Sequence, residues 1–138
     1  WEEAFQEETM DGGLPKNRLV IFDDCGYSGS LKNKQAGIIS KLICNGRHLN
    51  LSQIYTSQRF SQVSTTLRTN ITGAILFNTS MKELDLISDD MNFMNNNKDF
   101  IKMFRKTTEQ PRSFLVVNFS NPPETLYMDS QFKPIHWM

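Results

Sequence analysis

Leu19-Val20-Ile21-Phe22-Asp23-Asp24-Cys25-Gly26 reads as four apolar residues that stop abruptly at two adjacent carboxylates, with a glycine two positions on. A short, unbroken apolar run predicts a strand buried on both faces, as in a parallel sheet covered by helices. The two acids then stand at the carboxyl end of that strand, the edge at which open α/β sheets bind their ligands. Side-by-side carboxylates at the mouth of an apolar strand are costly unless a cation meets them.

One motif with this shape is the Walker B strand of P-loop NTPases, where the cation is magnesium carried with its nucleotide. There the first acid holds the metal and the second acts on the attacking water. The octapeptide alone leaves a second reading open, a strand followed by an Asp-rich turn.

At 138 residues the chain is one domain's worth, and 38% hydrophobic content is enough for a packed core. The formal net charge is zero, which excludes a chain-wide basic field for DNA and leaves room for a local patch. Cys25 and Cys44 are the only cysteines. They form neither a zinc set nor a disulfide framework, which fits a reducing compartment. No signal peptide and no membrane-length apolar run is present in the sequence.

Working outward, Trp1 to Met10 reads as the tail of a helix, ended by Asp11-Gly12-Gly13-Leu14-Pro15. A chain that opens in mid-helix is expected to begin inside a larger protein. Gly26 to Ser30 reads as a loop, with Ser30 capping a helix from about Leu31 to Asn45 that Gly46 stops. Leu51–Thr56 and Gly73–Phe77 are predicted strands, separated by a polar loop with one short helical turn. Helices are predicted over Lys82–Met91, with Leu84, Ile87 and Met91 inward, and over Asp99–Thr107, with Phe100, Ile101 and Phe104 as core. Lys102, Arg105 and Lys106 fall on the outer face of the second helix, more naturally solvated than bound to DNA. Phe114–Phe119 is a further strand, and Asn121-Pro122-Pro123 turns the chain so that Thr125–Met128 pairs back as a hairpin. The tail from Phe132 to Met138 is expected to be extended on the surface. This order of elements says α/β with a largely parallel sheet.

Three blocks stand in one order: Ile21-Phe22-Asp23-Asp24, then Asn45-Gly46-Arg47-His48-Leu49-Asn50, then Thr56-Ser57-Gln58-Arg59. Leu67-Arg68-Thr69-Asn70-Ile71 and the Ala74–Phe77 run follow. The series resembles the DNA-packaging ATPases of poxviruses, virophages and other large DNA viruses, members of the FtsK–HerA superfamily of P-loop motors. The match covers Arg18 to Met91, and its specificity lies in the ordered set rather than in any one block. The resemblance implies a RecA-like (ASCE) P-loop NTPase fold, a three-layer α/β sandwich around a mostly parallel sheet, with the C-terminal hairpin and tail over residues 120–138. It implies one partial ATPase domain over residues 1–138, running from Walker B onward.

It also implies roles, residue by residue. Asp23 is the expected Walker B acid for the magnesium shell. Asp24 is the expected base or water-positioning acid, where the wider superfamily often has Glu. Gln58 is the expected polar sensor, contacting the γ-phosphate or the attacking water. Arg47 is the better candidate for an arginine finger on a neighbouring subunit's nucleotide, and Arg68 the second. A planar guanidinium matches charge spread over the γ-phosphoryl oxygens. The implied cofactors are ATP and Mg2+, and the implied partners are double-stranded DNA, copies of the chain in a ring, and the capsid or portal vertex. The implied location is the virion or a viral factory in the host cytoplasm. Duller readings stand beside these: Gln58 as a strand cap, Arg47 complementing a helix end, His48 as a structural hydrogen-bonder, Arg68 paired with a surface acid for little energy, and Cys25 as a small buried filler.

The sequence lacks Gly-x-x-x-x-Gly-Lys-[Ser/Thr], the loop that cradles phosphates with backbone N–H groups. The chain is therefore expected to be the C-terminal portion of the motor, inactive by itself. By the same resemblance, Leu51–Thr56 and Gly73–Phe77 should flank the place of the absent Walker A strand. Two alternatives remain: another P-loop ATPase, of helicase or AAA+ type, or a non-catalytic α/β assembly module.

Overall fold

A computed structural model describes residues 17–24 and 41–136 of the chain. The expected first helix, the loop after Asp24 with Cys25, the Ser30 cap, most of the helix to Asn45 and the last two residues lie outside the described residues. The chain divides into two compact units. Among the described residues, the first comprises those up to Gln58 together with Gln62–Leu67; the second comprises Arg59–Ser61 and those from Arg68 on.

In the first unit, β1 (Arg18–Phe22) and β2 (Leu51–Tyr55) pair in parallel, with Phe22 opposite Tyr55. The ladder is extended at both ends, where Arg18 N–H donates to the Asn50 carbonyl at 3.0 Å and Thr56 N–H to the Phe22 carbonyl at 2.9 Å. The Phe22 and Tyr55 rings stack with centroids 4.7 Å apart. Burial on both faces is not what β1 shows: Leu19 and Ile21 are 57% and 58% exposed. An unbroken apolar run hides the two-residue alternation that would have said which face is inward.

Residues 41–45 are helical and run straight into a 3-10 turn, Gly46–Leu49, instead of stopping at Gly46. Gly46 stands there at a close approach to the Gln53 side chain. A Cβ on it would lie 2.1 Å from Gln53 Nε2. That amide is held in place, donating to the Leu42 carbonyl at 2.7 Å, while its Oε1 accepts from the Tyr55 hydroxyl at 2.6 Å. Asn50 then turns the chain into β2 with φ 51°, a left-handed conformation that asparagine tolerates better than most residues. The two ends of the Gly-Arg-His-Leu-Asn block thus have separate backbone reasons.

In the second unit, β3 (Gly73–Phe77), β4 (Phe114–Asn118) and β5 (Tyr127–Met128) form a sheet in that order. Both pairings are antiparallel, and β4–β5 is the expected hairpin. The mostly parallel sheet is thereby corrected: among the described residues parallel pairing is confined to β1 and β2. The connection explains it. Two helices of 11 residues each, α2 (Met81–Met91) and α3 (Asn97–Thr107), link β3 to β4. One helix returns a chain to the start of the strand it left and gives a parallel neighbour; two in succession carry it back to the far end. The short helix α1 (Thr65–Asn70) precedes β3.

Both long helices are capped by side chains. Ser80 Oγ accepts from Glu83 N–H, and Asn96 Oδ1 accepts from Lys98 N–H at 2.8 Å. Glu83 in turn accepts from the N–H and hydroxyl of Ser61, at 2.9 and 2.7 Å. The Ser61 N–H leads in holding the Glu83 carboxyl below the ordinary glutamate range. Leu84, Ile87 and Met91 of α2 and Phe100 and Phe104 of α3 are buried against Leu76, Leu115 and Val117 of the sheet, with Leu126 and Tyr127 closing the cluster. Each such side chain contributes about 1.5–3 kcal/mol by leaving water. Arg105 is not a solvated lysine-like arm: it donates to Asn78 Oδ1 at 2.6 Å and to the Thr79 carbonyl at 2.8 Å, tying α3 to the end of β3.

Candidate functional site

The parallel register decides the site. Because Phe22 stands opposite Tyr55, the next residue on each chain, Asp23 and Thr56, also lie side by side beyond the strand ends. Thr56 Oγ1 donates to Asp23 Oδ1 at 2.5 Å and accepts from Asp24 N–H at 2.9 Å. Two residues later, Gln58 Nε2 donates to Asp24 Oδ2 at 2.8 Å. Asp24 has φ 47°, the left-handed region, costing of order 1 kcal/mol for a residue other than glycine. Backbone held in such a conformation is concentrated at functional sites.

The sequence-predicted Asp23, Asp24 and Gln58 are therefore brought together at the carboxyl end of a parallel strand pair, all of them exposed. The same face carries two carboxylates, which can accept, and a neutral amide, which can donate and accept. Thr56 is the member that sequence reasoning missed. Its signal was there: it is one residue past β2, as Asp23 is one residue past β1.

A nucleotide-borne Mg2+ fits this donor set. Such an ion keeps several waters and is bound by one or two carboxylates together with phosphate oxygens, not by an all-protein cage. Among the described residues no three His, Cys, Asp or Glu side chains cluster so as to cage a metal by themselves.

The two arginines stand differently. Arg47 lies in the 3-10 turn Gly46–Leu49, and its side chain is outside the described residues. Arg68 belongs to the second unit, where Nη1 pairs with Asp90 Oδ2 and the guanidinium lies 5.2 Å from the centroid of the Phe60 ring. The acid pairing weighed for it on sequence grounds is present. Among the described residues no helix is long and apolar enough to cross a membrane.

The fold is that of viral genome-packaging enzymes. The chain is similar to the DNA-packaging ATPase B204 of Sulfolobus Turreted Icosahedral Virus, with TM-score 0.66 and 17% identity over 98% of this chain and 60% of that one. It is similar to the genome packaging NTPase B204 of Sulfolobus turreted icosahedral virus 2 in complex with AMPPCP, with TM-score 0.66 and 20% identity over 97% of this chain and 60% of that one. The same NTPase in complex with ATP-gammaS matches with TM-score 0.64 and 18% identity over 97% of this chain and 60% of that one. At these identities the likeness is one of fold, and the chain spans 60% of the length of these B204 chains. No curated protein sequence matches it. The profile of the Poxvirus A32 protein matches residues 3–130, nearly the whole chain. Together with the ordered Asp-Asp, Gly-Arg-His-Leu-Asn and Ser-Gln-Arg blocks, that match shows that the chain belongs to the Poxvirus A32 protein family.

Proposed function

We propose that this chain is the Walker B and sensor part of a P-loop ATPase that drives double-stranded viral DNA into a capsid. The observation that carries the reading is the Gln58–Asp24 hydrogen bond, 2.8 Å long, at the carboxyl end of β1 and β2. It couples a polar strand-end residue to the second of two acids, the arrangement that water activation beside a triphosphate needs.

Asp23, turned by Thr56, would hold the water shell of a nucleotide-borne Mg2+. Asp24 positions the attacking water and takes its proton, and Gln58 holds that carboxylate while reporting on the γ-phosphate. Mg2+, when bound with the nucleotide, would supply charge neutralisation to the phosphates. Arg47 reaches a neighbouring subunit's nucleotide in a ring of copies. Arg68 is the second finger candidate, since that role requires it to leave Asp90 and Phe60. The ring works at the capsid or portal vertex, in the virion or a viral factory. Without a phosphate-cradling loop, this chain by itself hydrolyses no ATP.

In the complete protein, Asp24→Asn is expected to lower kcat by about two to four orders of magnitude and to leave nucleotide affinity intact. Turnover unchanged in that variant would remove Asp24 from the mechanism and the hydrolytic reading with it.

A further inference from the structure

We infer that Thr56 is a positioning residue of this site: its hydroxyl sets the Asp23 carboxylate and the Asp24 backbone relative to one another. The inference rests on the hydrolytic reading proposed above and adds a residue to it.

A threonine hydroxyl has one proton to give. Here the oxygen already accepts Asp24 N–H, at 2.9 Å, so the proton is directed outward, to Asp23 Oδ1 at 2.5 Å. A backbone N–H can only donate, so in this pair the hydroxyl is acceptor to Asp24 and donor to Asp23. With one lone pair taken by Asp24 N–H, the O–H has two staggered positions left, and Asp23 Oδ1 meets one of them. Thr56 is itself anchored, its own N–H donating to the Phe22 carbonyl at 2.9 Å as the last rung of the parallel ladder. Its β-branched side chain is stiff at χ1, so anchoring the backbone also anchors the oxygen.

Two consequences follow for Asp23 and Asp24. The rotamer of Asp23 is chosen before any ligand arrives. The left-handed turn at Asp24, φ 47°, is held from the neighbouring strand, and this turn presents the Asp24 carboxylate to Gln58. One hydroxyl therefore aligns the acid expected to meet the metal shell with the acid expected to meet the water. Partners that orient a ligating carboxylate in this way typically matter about 10- to 100-fold in metal affinity or activity when removed.

The test compares Thr56→Val, which keeps the shape and loses the hydroxyl, with Thr56→Ser, which keeps the hydroxyl, in the complete protein. Thr56→Val is expected to lower kcat about 10- to 100-fold and to raise the Mg2+ concentration for half-maximal turnover, with the KM for ATP little changed. Thr56→Ser should restore both. A readout independent of turnover is Mn2+ binding in the presence of AMPPCP, followed by electron paramagnetic resonance, which should weaken in Thr56→Val and not in Thr56→Ser. If Thr56→Val does not fold, Thr56→Ala is measured the same way. Normal turnover and normal Mn2+ binding in the hydroxyl-free variant, or equal damage in valine and serine variants, would overturn the assignment. Asp24→Asn runs alongside. If it is inactive while Thr56→Val is normal, only the role of Thr56 fails; if it is active, the hydrolytic reading fails as well.

Discussion

Gln58 Nε2 and Asp24 Oδ2 are 2.8 Å apart although the residues are separated by 34 positions in the chain. The bond joins the loop after β2 to the loop after β1 and fixes the carboxylate that would handle water. Gln58→Ala in the complete protein is expected to lower kcat about 10- to 100-fold, the worth of a hydrogen bond to a charged group, with the KM for ATP nearly constant. Gln58→Glu should be at least as damaging, because it sets a second carboxylate against Asp24. Phosphate release under saturating ATP measures both; an alanine variant with full turnover would leave Gln58 a strand cap.

Arg68 is tested by stability and Arg47 by turnover. Arg68 pairs with Asp90 and lies over the Phe60 ring, with its side chain 14% exposed. Arg68→Ala is expected to lower the Tm of the isolated chain by several degrees, through a loss of about 1–3 kcal/mol. Arg47→Ala is expected to suppress turnover only when the nucleotide sits on the neighbouring subunit. Thermal denaturation and a mixed-subunit ATPase assay against a hydrolysis-dead partner test the two. Turnover lost through Arg68 in the mixed assay, with Tm intact, would exchange their roles.

Gly46→Ala should destabilise the first unit by about 1–2 kcal/mol, because its Cβ would displace the Gln53 amide from the Leu42 carbonyl and the Tyr55 hydroxyl. Gln53 is a flexible side chain, so the clash can be relieved. The double variant Gly46→Ala/Gln53→Ala is expected to lose less than the sum of the singles. Denaturant unfolding of the three variants gives the coupling, and strict additivity would show that the close approach is not the cause.

Tyr127 locks the end of α2 to β5. Fully buried, it donates to the Met91 carbonyl at 2.7 Å and accepts from Phe93 N–H at 2.9 Å. Tyr127→Phe should cost about 1–3 kcal/mol by leaving those groups without their partner. Desolvation on burial raises the pKa of the hydroxyl above the usual tyrosine value. The folded state then holds the proton where the unfolded state has released it. Stability is full below the ordinary tyrosine range and declines as pH rises through and beyond it. The phenylalanine variant should lack that part of the alkaline decline, which chemical denaturation between neutral pH and strongly alkaline pH can resolve.

What local pattern determined is clear at α2, α3 and β3. The helical spacing of Leu84, Ile87 and Met91, and of Phe100 and Phe104, gave the buried face of each helix, because side chains three and four apart share a face whatever the helix packs on. Gly73–Phe77 was legible because a short apolar run between polar stretches has few other uses. The ordered blocks gave Asp23, Asp24 and Gln58 as candidates, and the structure sets Gln58 against Asp24 beside Asp23.

Tertiary structure decided the rest. Whether β3 meets β4 parallel or antiparallel depends on how two helices return the chain, and no residue within β3 encodes that. Whether Leu19 and Ile21 face a core or water depends on what covers β1, which an all-apolar run cannot say. Thr56 became part of the site only through the register that sets Tyr55 opposite Phe22. Contacts between residues more than thirty positions apart are fixed by strand pairing and direction, and these are properties of the assembled sheet rather than of any stretch within it.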